Sequence, residues 1–138
     1  MNTKYVLNAC SVIAFLTKED GADITDNLIA EALDNKAELF MHKINFIEVI
    51  YDAWKTQGGS QAKTIFNNIK LLPITIVDSI SDDLALEASR LKAGNRISLA
   101  DAFALAVARL ESATLVTSDH HEFDALEASG EATFLWIR

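Results

Sequence analysis

Three carboxylates in this chain occupy positions from which they could share a metal ion. Glu48 lies inside the apolar run Phe46 to Tyr51, Asp101 inside the apolar run Leu99 to Leu110, and Asp119 just after the β-like run Thr114 to Thr117. An amide, Asn8, ends the first β-like run, Lys4 to Leu7. Hard oxygen ligands of this type suit Mg²⁺ or Mn²⁺. A cation held by them can lower the pKa of a water and stabilise a leaving oxygen during phosphodiester hydrolysis.

Each residue alone has a plainer reading as a helix cap. Ser98-Leu99-Ala100-Asp101 and Asn45-Phe46-Ile47-Glu48 both have the form of a capping box. Asn8 is a good cap residue, and Asp119 can cap a turn leading to Glu122. Their surroundings argue for more than capping. Between Leu99 and Leu110 the only polar side chains are Asp101 and Arg109, so that helix is expected to be buried on most faces. A carboxylate buried there is costly unless something compensates it.

Convergence requires a suitable scaffold, and the sequence predicts one. Short β-like runs alternate with longer helical ones, the pattern of an α/β domain with a mainly parallel sheet. Strands are expected at Lys4–Leu7, Glu38–His42, Ile74–Val77, Thr114–Thr117 and Thr133–Ile137. Helices are expected from Asn8 through Phe15, over Ala22–Leu33 with Leu28, Ile29, Ala32 and Leu33 inward, and from Asn45 to near Gly58-Gly59. Further helices follow over Ser60–Leu72, from the Ser81 cap to Gly94 with Leu84, Ala88 and Leu91 on one stripe, and from Ser98 to Leu110. Asp119 to Ala128 reads as a polar loop or brief helix. Open sheets of this class bind ligands beyond the carboxyl ends of their strands, where strand order reverses.

The 138 residues suffice for one domain, taken as 1–138, and half of them are apolar with one proline and five glycines. Cys10 is the only cysteine, so no internal disulfide can form, which fits a reducing cytoplasm. The apolar stretch from Tyr5 to Leu16 contains Asn8 and Ser11 and lacks a small-residue cleavage site, so no signal peptide is expected. Other apolar runs are too short or interrupted for a membrane span. A net charge of −8 argues against a simple nucleic-acid coat protein but not against a nuclease, because bound cations reverse the local field.

Four segments, in order and spacing, resemble the motifs of PIN domains. They are Tyr5-Val6-Leu7-Asn8-Ala9, Asn45-Phe46-Ile47-Glu48-Val49, Ile97-Ser98-Leu99-Ala100-Asp101-Ala102 and Leu115-Val116-Thr117-Ser118-Asp119. At this size the chain looks most like VapC toxins of type II toxin–antitoxin pairs. The resemblance implies a three-layer α/β/α sandwich with about five strands, a homodimer, and a VapB-like antitoxin that occludes the active site. It also implies Mg²⁺- or Mn²⁺-dependent cleavage of RNA to 5′-phosphate and 3′-hydroxyl ends. Carried over, the catalytic and metal-binding set is Asn8, Glu48, Asp101 and Asp119, with Asp124 as an outer metal ligand. The family has Asp where this chain has Asn8. An amide keeps one ligating oxygen but loses the negative charge, so weaker metal binding and slower hydrolysis are expected.

Other polar residues carry smaller expectations. Arg96 is the first candidate for a substrate phosphate, ahead of Lys43, Arg90 and Lys92. Thr117 and Ser118 can orient Asp119. His120-His121-Glu122 with Asp124 lacks zinc-site spacing and reads as a solvated loop. Trp54, Phe46 and Tyr51 are assigned to core or dimer packing, and Cys10 to a buried position. Two rival readings remain: a catalytically silent PIN-like module that binds antitoxin or RNA, and a receiver-like domain. The latter is disfavoured because acids are missing after the first strand and a lysine is missing from the last.

Overall fold

Along each strand, successive side chains enter opposite apolar cores, as the two-residue period of a sheet requires. Leu7, Leu39, Met41, Val116 and Ile137 belong to one core; Val6 and Leu115 belong to the other. Both faces are therefore covered, which is why the strands are nearly continuous apolar runs. The computed structural model describes residues 2–138. Its strands are β1 (Thr3–Leu7), β2 (Ala37–His42), β3 (Ile74–Val77), β4 (Thr114–Thr117) and β5 (Thr133–Trp136). Its helices are α1 (Ala9–Thr17), α2 (Ala22–Leu33), α3 (Lys43–Gln57), α4 (Gly59–Lys70), α5 (Asp82–Gly94), α6 (Leu99–Leu110) and α7 (His120–Ala128).

The five strands are all parallel and run in the order β3-β2-β1-β4-β5. Helices α1–α4 pack on one face and α5–α7 on the other, giving the three-layer sandwich. The order reverses between β1 and β4, so the crevice for a ligand opens beyond Leu7 and Thr117. This order also removes the receiver-like alternative, whose sheet runs 2-1-3-4-5.

Expected elements and observed ones agree closely, with three corrections. Leu33 does not face inward: it is 69% exposed at the last turn of α2, while Leu28 and Ile29 carry the buried face. His120-His121-Glu122 is no solvated loop: of the two readings of Asp119 to Ala128 the helix holds, capped by Asp119 and anchored by Phe123 and Leu126. The third concerns α3, which starts at Lys43 rather than Asn45, so Asn45-Phe46-Ile47-Glu48 is not a capping box. His42 is the cap: the Ile44 N–H donates to its Nδ1 at 3.1 Å.

This cap fixes the imidazole tautomer. With Nδ1 accepting, the proton sits on Nε2, which faces the Ser79 carbonyl at 3.3 Å, and the ring stacks on Phe103. Burial holds the pKa below its ordinary 6.5, partly opposed by the Ser79 contact. At the other edge Gly21 has φ +95°, and a Cβ there would fall 2.5 Å from the Ile137 carbonyl oxygen, so the α1–α2 turn closes on the end of the chain. Arg138 fastens the same corner by donating to the Asp20 carbonyl at 2.8 Å.

A lowered folded-state pKa means that the unfolded chain binds the His42 proton first. The stability that neutral His42 contributes is complete above pH 6.5 and is lost as pH falls through its folded pKa. His42→Asn keeps a capping acceptor without a titrating ring. Comparing thermal melts of the two proteins from pH 7.5 to 5 should show the parent losing on the order of 1 kcal/mol more than the variant. Parallel pH profiles would mean that His42 is not held neutral by the fold.

Candidate active site

The corner after β1 is built around the Asn8 side chain, which is buried. Its Oδ1 caps α1 by accepting the Ser11 N–H at 3.2 Å and also accepts the Cys10 thiol at 3.0 Å. Its Nδ2 donates to Thr117 Oγ1 at 2.7 Å. The Asp119 N–H reaches the same hydroxyl oxygen at 3.0 Å, so Thr117 joins the ends of β1 and β4. Thr117 thus positions the backbone of Asp119, whereas Ser118 bonds to Cys10 instead. Cys10 is only partly buried and lines the pocket, which corrects the expectation of a buried packing residue.

Three acids join the amide, two of them from helix N-termini. Ser98 caps α6 by accepting the Asp101 N–H at 3.1 Å, and it also contacts the Asp101 carboxylate, which stands near Asp119 and Glu122. Asp119 Oδ1 caps α7 by accepting the Glu122 N–H at 3.1 Å. Glu48, from α3, accepts from Asn45 Nδ2 at 3.3 Å. Asn8, Glu48, Asp101 and Asp119 line one pocket of about 260 Å³, together with Cys10 and Asp52.

Carboxylate oxygens of Asp101, Asp119 and Glu122 all lie within 4.8 Å of one another. That spread suits ligands around one cation, since oxygen–metal distances run about 2.0–2.6 Å. Glu122 Oε2 is buried without a hydrogen-bond partner among the described residues. Asp101 is pushed up to about 7, mainly by burial and then by the charges of Asp119, Glu122 and Glu48, against the Ser98 contact. Burial also raises Glu48, opposed by Asn45. An orphaned acceptor and a carboxyl that resists ionisation are what a hard divalent cation would relieve, so the residues fit a metal.

The remaining candidates fall elsewhere. Asp124 is exposed on α7, bonded to His120 at 2.8 Å and absent from the pocket lining. His120 stacks on Trp136, and Asp124 raises its pKa. Arg96 is exposed in the segment before α6, outside the ion pairs of the described residues. Arg90 is held with Arg109 in a network with Glu87 and Glu131, and Lys43 borders an apolar groove on α3. Of the aromatic trio only Phe46 is core; Tyr51 and Trp54 are exposed. Glu122 and Asp52 were not singled out as ligands from sequence, although Asp119-x-x-Glu122 and Glu48-x-x-x-Asp52 are same-face helical spacings.

The PIN domain family matches residues 5–128, most of the chain. The chain belongs to the PIN-domain family. PIN nucleases use divalent metal ions, and the acidic cluster of this PIN domain is where one would sit. No curated protein sequence matches it. A chain of VapBC2 from Rickettsia felis, bound to a promoter DNA fragment, is similar in fold: TM-score 0.71, 21% identity, covering 96% of this chain and 98% of that one. DNA-bound VapBC from Salmonella typhimurium gives 0.72 at 15% identity, covering 99% of each. VapC20 from Mycobacterium tuberculosis, a sarcin-ricin loop cleaving toxin, gives 0.58 at 17%, covering 91% and 95%. At these identities the likeness is one of fold.

Above pH 7 an ionised Asp101 opposes folding of the metal-free PIN domain, because its pKa is raised relative to the unfolded 3.8. Asp101→Asn should therefore stabilise the metal-free protein at pH 8 by on the order of 2–4 kcal/mol, and by roughly a third as much at pH 5, because the penalty builds from pH 3.8 upward. Chemical denaturation in chelator at both pH values measures this. A loss of stability at pH 8 would mean that Asp101 is not under like-charge strain.

Proposed function

We propose that this PIN domain is a metal-dependent endoribonuclease and the toxin of a VapBC-type pair, working in the cytoplasm and weakened by Asn8. The observation that carries the reading is the meeting of Glu48, Asp101 and Asp119 with Asn8 in one pocket at the strand-order reversal. Asp101, Asp119 and Glu122 would hold Mg²⁺ or Mn²⁺, with Glu48 across the pocket. When bound, the cation supplies a water of lowered pKa and charge neutralisation at the phosphate.

The chain's own residues do the remaining work. Asp101, whose pKa is raised, would give up its proton to serve as a ligand, and Asn45 donates to Glu48. The pocket is open to solvent at Tyr51, so a phosphodiester can enter without rearrangement of the core. Arg96 is available to meet a phosphate from the α6 side. Among the described residues no helix is long and apolar enough to cross a membrane.

Asn8 favours a second reading, a silent module, because both ends of its amide are engaged by Ser11, Cys10 and Thr117. Rates of Mn²⁺-dependent RNA cleavage decide between the two. The parent should show chelator-sensitive activity that falls at least 100-fold in Asp119→Ala, given the several kcal/mol such ligands support. Asn8→Asp should raise the rate about tenfold or more. If neither the parent nor Asn8→Asp cleaves RNA, the enzyme reading fails and the binding module stands.

An antitoxin would have a surface to occupy. Ile47, Tyr51, Trp54 and Phe66 line an apolar groove of about 340 Å³ between α3 and α4. Tyr51 also lines the acidic pocket, so a segment in the groove leads directly to it. We assign the groove to an apolar helix face of a VapB-like antitoxin, the kind of partner present in the VapBC complexes. Trp54→Asp should weaken binding to the product of the reading frame beside its gene by about 100-fold in calorimetry. Unchanged affinity, with the free chain turned from dimer to monomer in sedimentation, would give the groove to a homodimer instead.

A further inference from the structure

The geometry points to Asn45 as a positioning residue that ties the Glu48 carboxylate to the first turn of α6 and so sets where the metal-binding acids stand. This inference rests on the metal-centre reading above and adds a residue to it. Asn45 is wholly buried, 0% exposed, in the first turn of α3. Its Nδ2 donates to Glu48 Oε1 at 3.3 Å and to the Ala100 carbonyl at 3.1 Å, across a separation of 55 residues. Ala100 directly precedes Asp101 in α6, so one amide links the neighbourhoods of two pocket acids.

Two features separate this from an ordinary buried asparagine. The Asn45 contact is the only side-chain hydrogen bond Glu48 makes among the described residues. Meanwhile Asn45 Oδ1 is buried with no hydrogen-bond partner among the described residues. A flipped amide would set that oxygen against two other acceptors, the Glu48 carboxylate and the Ala100 carbonyl. The orientation is therefore fixed by the two donated bonds, and the orphaned oxygen is the consequence. Buried polar groups are almost always satisfied, so a side chain that leaves one acceptor unmet is held by what its donors do. Groups behind a metal ligand orient it and tune its affinity in this way.

The test uses Mn²⁺ affinity of the full chain by electron paramagnetic resonance, with melting temperature in chelator as the control for folding. Asn45→Leu removes both donors and the orphaned oxygen at similar volume. It should leave the metal-free melting temperature within a few degrees of the parent and weaken Mn²⁺ binding roughly tenfold. In a Glu48→Gln background the same substitution should have little further effect, because the coupling runs through that carboxylate. Should Asn45→Leu fail to fold, Asn45→Ser, which keeps one short donor, enters the same cycle with a smaller expected loss. Mn²⁺ affinity unchanged by these substitutions, or a loss that simply adds to that of Glu48→Gln, would overturn the role of Asn45 while leaving the metal centre intact. A parent chain that binds no Mn²⁺ would overturn the metal-centre reading and this inference with it.

Discussion

Mutual repulsion among Glu48, Asp101, Asp119 and Glu122 is the constraint that the top of this sheet is arranged to withstand. The chain brings these acids together from three distant segments, and the rise of Asp101 to about 7 reflects both their charge and their burial. An all-parallel sheet supplies part of the compensation by its nature. Strands β1, β2 and β4 are each followed by a helix that begins at this edge, so the N-termini of α1, α3 and α7 converge there, and α6, which follows α5, brings its own N-terminus with Asp101 to the same place. The positive ends of helices favour anionic side chains within their first turn. Asp101 and Glu122 occupy such first turns, and Asp119 is itself a cap.

Capping and chemistry are therefore not competing explanations for these residues. Asp119 uses Oδ1 on the Glu122 N–H, which leaves its second oxygen for another partner. Asp101 is supported by Ser98 through its backbone N–H, and the weaker contact of Ser98 with its carboxylate is outweighed by burial and the neighbouring acids. The sandwich behind them is stiff where stiffness matters: Ala102 to Ala108 are all buried, and small residues there let α6 approach the sheet closely. A helix seated that tightly can hold a carboxylate against its neighbours without drifting.

Strand and helix positions were legible in the sequence because every strand is an apolar run and most helices carry a standard cap. Strand order was not, since nothing local tells β1 that it will lie between β2 and β4. The resemblance to PIN domains implied the three layers and the site residues, but not that order. Reading failed where one residue type stood in for another: His42 capped α3 through an unprotonated ring nitrogen, and Asn45 was freed for a different task. Glu122 is masked as a ligand by the two histidines before it, whose pattern suggests zinc, whereas its spacing from Asp119 is the useful signal. Leu33 was misplaced because its position on the helical stripe falls in the last turn, beyond the edge of the sheet.

The same geometry explains how Asn8 is accommodated. An aspartate here could still accept the Ser11 N–H and cap α1, and the Thr117 hydroxyl could donate to it while continuing to accept from Asp119. The fold thus places little demand on the choice between amide and acid. Charge does: an acid at position 8 adds another negative group to a pocket in which Asp101 already resists ionising. On the proposed reading, Asn8 would make the metal-free pocket easier to hold together and harder to fill with a cation, the usual opposition between stability and activity at a strained site.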